Sequence, residues 1–160
     1  GGLRYPPSKG FLPIEDEIWA IHATDRCRTP TGITINWARS VLETRRPENA
    51  IDHIELCKKH NLMTGMMFSG IAECDSDYGD WIDSHTPFKK IGQMEKFCSN
   101  SLLGEDHIGE CMNAVKHFAQ FQGLKIQVLP QPSDVEERIG YIDDALNELR
   151  DLSTRQEEKS

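Results

Sequence analysis

The sequence has no apolar run approaching the ~20 residues that cross a membrane, and its first ten residues hold no apolar signal core. A membrane partner is therefore not expected. Cysteine is scarce and spaced wrongly for a structural framework. Cys27, Cys57, Cys74, Cys98 and Cys111 are odd in number and form no C-x-x-C pair, so free thiols in a reducing compartment, cytoplasm or nucleus, are expected. No internal repeat, low-complexity tract or composition shift marks a linker. With 160 residues, 38% of them hydrophobic, the chain suits one domain on the usual scale of ~100 to 200 residues.

Positive charge is also short. Lys and Arg number 18 against 26 acids, a net charge of −8, which argues against broad nucleic-acid binding because phosphate recognition needs clustered cations. The deficit is uneven: residues 1–60 hold nine cations and eight acids, residues 61–160 nine and eighteen. Arg39, Arg45, Arg46, Lys58 and Lys59, with Arg26 and Arg28, fall in a basic window. Glu73, Asp75, Asp77, Asp80 and Asp83 form a run with no base among them. Such asymmetry can guide head-to-tail association, although a charge run is more often a solvated face.

Familiar reaction motifs are missing as well. Gly65 and Gly70 have Walker spacing, but Ile71 stands where the phosphate-binding lysine belongs, and Ser69 lacks the flanking glycines of a nucleophile elbow. The acidic loop begins like a calcium loop, yet Asp80 and Thr86 occupy the positions that require glycine and a bidentate glutamate. No cofactor is implied.

What the chain does contain is helical periodicity. Val135, Ile139, Ile142, Leu146 and Leu149 recur at spacings of four and three over Ser133 to Leu152, the seam of a helix packed lengthwise on another. Ser133 and Glu136 form a capping box, Pro130 and Pro132 block extension backwards, and Gly140 invites close approach. Burial of that seam within one chain is preferred, with a two-chain interface as the alternative. Pro13 opens an earlier helix to Cys27, and Pro47 opens one with Ile51, Ile54 and Cys57 inward and Asn61 as its stop.

Ile33 to Arg46 reads as a helix from about Thr34, or as a short strand followed by a helix. Leu62 to Cys74 reads first as a buried helix and second as a buried strand, and its methionines make it a candidate groove. Thr86 and Pro87 cap an expected helix bearing Phe88, Ile91, Met94 and Cys98. Glu105 to Gln122 is strongly amphipathic and stops at Gly123, and Lys125 to Leu129 is a strand candidate without an evident partner. The expected fold is mainly α: an extended arm over residues 1–12 with Tyr5 and Phe11 as anchors, one compact helical domain over 13–152 with about seven helices and at most two short strands, and a fraying tail over 153–160.

Three functional expectations follow. The first is a non-catalytic helical domain for protein–protein interaction or assembly, adaptor, regulatory or viral in type. In it Tyr78 and Trp81 are presented beside Asp75, Asp77, Asp80 and Asp83 to a basic protein partner or a second copy. An alternative is a nucleic-acid-binding assembly protein that uses Arg39, Arg45, Arg46, Lys58 and Lys59. The third is an enzyme with a Cys/His or metal centre. His53, Cys57 and His60 lie along one side of a helix, and His107 and Cys111 repeat the four-residue step, so His53, Cys57, His107 and Cys111 could compose a Cys2His2 zinc site. The same cysteines also suit the apolar stripes of their helices.

Overall fold

A computed structural model describes residues 5, 9–24, 29–74, 76–129 and 133–158. The elements in order are α1 (Ile14–Thr24), β1 (Ile33–Asn36), α2 (Trp37–Thr44), α3 (Asn49–Lys59), β2 (Met63–Phe68), α4 (Glu105–Val115), β3 (Phe121–Leu124) and α5 (Val135–Glu157). The three strands form one parallel sheet in the order β1-β2-β3. The fold is α/β, which corrects the expectation of a mainly α domain with about seven helices.

The corrections have local causes. Ile33, Thr34 and Ile35 are β-branched and pair with β2, and Asn36 then caps α2 by accepting a hydrogen bond from the Arg39 N–H at 3.3 Å. Strand and helix thus meet at one residue, which corrects the expectation of a helix from about Thr34. The stretch after Leu62 is a strand and not a buried helix. As the middle strand of a parallel sheet it is buried widely, with Met66 and Phe68 fully inaccessible, and the alternation that marks a strand is lost.

The helix expected after Pro87 does not form. Gly92 sits at φ +49, and the segment is held instead by loop hydrogen bonds, Lys89 N–H to Leu103 O and Cys98 N–H to Phe88 O. Phe88, Ile91 and Met94 are buried all the same, so the apolar pattern was real and its period misleading. The helix from Glu105 ends at Val115, and the following strand begins at Phe121, earlier than the candidate at Lys125. Its partner is β2, and the Lys125 N–H extends the ladder to Phe68 O.

In α5 the cap is Asp134, which accepts from the Glu137 N–H at 2.6 Å, while Ser133 Oγ accepts from Arg138 Nε. Ala145, Leu149 and Leu152 are buried, whereas Val135 is 68% exposed and Ile139 50%. The seam is therefore not buried along its length as expected; only its C-terminal half is covered. The helix also continues to Glu157, through residues expected to fray. Pro130, Pro132 and Cys27 lie outside the described residues.

The core lies between the sheet and the helices. α3 packs on β1 and β2, α4 packs on β2, and the two helices pack on each other. Trp37, Ile54, Phe68, Ile108 and Val115 are each fully buried there. Each such side chain contributes roughly 1.5 to 3 kcal/mol by leaving water.

Candidate functional site at the carboxyl edge of the sheet

In parallel sheets the carboxyl ends of the strands are where ligands collect, because the chain leaves each strand there through a loop that is free to vary. Here those ends are Asn36, Phe68 and Leu124. Asn36 is occupied as a helix cap. Beyond Phe68 and Leu124 stand Ser69 and Lys125, and the long segment 69–104 folds back over them.

That segment is fastened at several points. Gly70 and Thr86 exchange two backbone hydrogen bonds, and the Gln127 N–H donates to His85 O at 2.8 Å. The Leu129 N–H donates to the Tyr78 hydroxyl at 3.1 Å, and Ser84 Oγ donates to Tyr78 O. Trp81 and His85 both adopt left-handed backbone, φ +53 and +55, which bulky side chains avoid unless their surroundings fix it.

The outcome is a polar cluster. His85 Nδ1 lies 3.3 Å from Ser69 Oγ and 3.1 Å from Asp83 Oδ1. Asp83 is buried, and its Oδ1 approaches His85 closely without a well-aligned hydrogen bond among the described residues. Lys9 Nζ reaches the same residue, donating to the Asp83 carbonyl at 2.8 Å and lying 3.2 Å from Oδ2. Burial lowers the proton affinity of His85, Lys125 and Lys9 lower it further, and Asp83 opposes them.

This is not a hydrolase triad, despite holding serine, histidine and aspartate. Both oxygens face the same ring nitrogen, whereas a proton relay needs them on opposite nitrogens. With Nδ1–H directed at Asp83 and Ser69, the lone pair is on Nε2, which meets no polar partner among the described residues. A neutral imidazole in that state accepts a proton at Nε2.

The residues singled out in the sequence are placed differently. Tyr78 is buried rather than presented, and burial pushes its phenol up to about 12. Trp81 is half-buried and packs against the core, with the Arg45 guanidinium 5.4 Å from its ring. Asp77 and Asp80 are exposed, Asp83 belongs to the cluster above, and Asp75 lies outside the described residues.

Most cations of the basic window that are described already have a partner. Arg39 pairs with Glu17 and stacks on Phe11, Arg45 also covers Tyr5, Arg46 meets Asp52 at 3.5 Å, and Lys58 meets Glu55 at 2.7 Å. Lys59 is exposed, and Arg26 and Arg28 lie outside the described residues.

The four candidate zinc ligands each have other surroundings. His53 Nε2 accepts from Asn49 Nδ2 at 3.1 Å, and its Nδ1 lies 3.0 Å from Ser40 Oγ. His107 Nδ1 donates to Leu102 O, and its ring lies 5.5 Å from that of Trp37. Burial pushes the Cys57 and Cys111 thiols up to about 12. His60 faces His22 at 3.4 Å. Among the described residues, no group of three or more His, Cys, Asp or Glu could hold a metal ion. Nor is any described helix long and apolar enough to cross a membrane.

Sequence reasoning had considered Ser69 and Asp83 separately and had passed over His85 and Lys9. The signal that could have joined them was the strand before Ser69, which makes that serine the first residue beyond a parallel strand.

Fold and cluster together define a parallel α/β domain with Ser69, Asp83 and His85 gathered at the carboxyl edge of its sheet. The family described as "Domain of unknown function (DUF4862)" matches residues 3–141, and the chain belongs to it. The "Uncharacterized protein STM3670" of Salmonella typhimurium (strain LT2) is 32% identical over 150 residues, which cover 93% of this chain and 44% of that protein. The chain thus spans less than half the length of this curated relative. No solved structure matches it.

Proposed function

We propose that the domain contributes to an enzyme active site in which His85 Nε2 accepts a proton from a small polar substrate, with Asp83 and Ser69 orienting the ring and Lys125 beside it favouring an anionic group on that substrate. The observation that carries this reading is the ring's placement: Nδ1 faces Asp83 and Ser69, and Nε2 meets no polar partner among the described residues at the carboxyl edge of a parallel sheet. The left-handed backbone at Trp81 and His85 supports it, since strain of this kind gathers where geometry serves a task. The lowered proton affinity keeps the imidazole neutral at neutral pH, the state a base requires. The experiment is an NMR screen of a library of small carboxylates, phosphates and sugars against the chain and against His85→Ala. Shifts clustering at Ser69, His85 and Lys125 and absent from the variant are expected. Binding that the variant retains, or that clusters elsewhere, would overturn the reading.

A second reading, protein–protein assembly without catalysis, draws on the exposed Val135, Ile139 and Ile142 of α5. It requires shifts on α5 that depend on protein concentration and leave the His85 cluster undisturbed.

A further inference from the structure

The strands run parallel and stand side by side in the order in which they occur along the chain. The helices that connect them are α2 and α3 between β1 and β2 and α4 between β2 and β3; α2 and α3 pack on β1 and β2, α4 packs on β2, and α3 packs on both other helices, which groups the three together. The register puts Thr34, Gly65 and Phe121 in one row across the sheet and Asn36, Met67 and Gly123 in another. These rows share the face away from the helices. The Phe121 ring closes over the place where a Gly65 Cβ would stand, and Met67 lies against the corresponding point of Gly123.

This face is only partly covered. Thr34 is exposed, Met67 half-buried and Phe121 49% exposed, while α5 makes no extended contact with any strand. Parallel sheets are stable when both faces are covered, and an unpaired strand edge is a template for further pairing. Two architectures complete such a sheet. A doubly wound sheet reverses its strand order and carries helices on both faces. A closed barrel keeps consecutive order, keeps its helices outside, and fills its interior with side chains from facing strands. Consecutive order with helices on one face fits an arc of the second architecture and also one half of the first, which differ in the strand that would pair beyond β1: the barrel continues the order, and the doubly wound sheet reverses it.

We propose that this chain forms an arc of a closed (β/α) barrel. In it β1 and β3, whose outer edges pair with no other described strand, pair with strands of further βα units in a longer polypeptide, and Thr34, Met67 and Phe121 line the barrel interior. The occupant is a continuation of the same kind of chain because the curated relative is more than twice as long as the stretch it shares with this one. A barrel of about eight strands has room for three such consecutive strands and more. Ser69, His85 and Lys125 then stand at the mouth of the barrel, where its loops converge.

Two measurements test this. The crystal structure of the intact Salmonella relative is expected to show a closed barrel in which the shared stretch supplies three neighbouring strands. A doubly wound sheet, or a shared stretch folded as a separate domain, would overturn the proposal. For the 160-residue chain alone, hydrogen exchange is expected to be fast on the free edge of β3, with binding of a hydrophobic dye that Phe121→Lys reduces severalfold. A dye-silent monomer of 18.2 kDa with a protected edge would show that the sheet needs no cover, and a dimer of twice that mass with the edge protected would make a second copy the occupant. Either result would refute the barrel arc.

Discussion

The Leu129 N–H donates to the Tyr78 hydroxyl at 3.1 Å, and this bond, with that of the Gln127 N–H to His85 O, ties the loop that carries His85 to the chain leaving β3. Tyr78→Phe keeps the ring in its buried place and removes only the acceptor. A loss of about 0.5 to 1.5 kcal/mol in urea unfolding is expected, together with faster amide exchange at Leu129. An unchanged exchange rate would mean that the bond does not hold the loop.

His85 also gives the fold a pH dependence whose sign can be worked out. Burial lowers its proton affinity below the ordinary value of 6.5. As pH falls through about 6.5, the unfolded chain takes up a proton that the folded chain refuses, so stability declines until the folded imidazole is itself protonated. Urea midpoints between about pH 8 and about pH 5 should fall more steeply for the native chain than for His85→Gln. A native midpoint that rises on acidification would instead mean that protonated His85 is held by Asp83.

The thiols should separate by burial. Cys57 and Cys111, pushed up to about 12, stay protonated at any ordinary pH and cannot attack a disulfide reagent, whereas Cys74 is exposed. Mass spectrometry after brief labelling at neutral pH should find Cys74 modified, with Cys57 and Cys111 modified only in denaturant. Labelling of Cys57 in the folded chain would indicate that the helix α3 face opens.

Within α5 the two ends of the apolar seam should respond unequally. Leu149 is 8% exposed and Val135 68%. Leu149→Ala is expected to cost about 2 to 5 kcal/mol, and Val135→Ala less than about 0.5 kcal/mol. Equal losses, measured on the monomer by denaturant unfolding, would show that the N-terminal half of the helix is covered in solution.

These outcomes bear on how far the sequence could be read. Four helices were legible in type because their apolar residues follow the helical period and their ends carry Pro13, Pro47 with Asn61, Gly123, or the Ser133 and Glu136 box. The sheet was not legible, for a physical reason. Its middle strand, Met63–Phe68, is buried widely and shows no alternation, and its edge strands are only four residues long. Ile33, Ile35 and Trp37 alternate, yet Ala38, Val41 and Leu42 follow them at helical spacing without a break. Once the sheet is hidden, so is its carboxyl edge. Ser69, Asp83, His85 and Lys9 then have no common address, since Lys9 and Asp83 meet only through the tertiary fold.

The junction at Asn36 leaves β1 and α2 without a spacer, so the phase of the helix is set by the strand. One residue inserted between Asn36 and Trp37 would turn α2 by about 100° and carry Trp37 and Val41 away from the core. The passage from β2 to α4 has the opposite character. Segment 69–104 can lengthen or shorten at its exposed bends while its fastened points stay in register. The domain therefore takes an inserted residue badly at the β1–α2 junction and more easily in the exposed bends beyond β2.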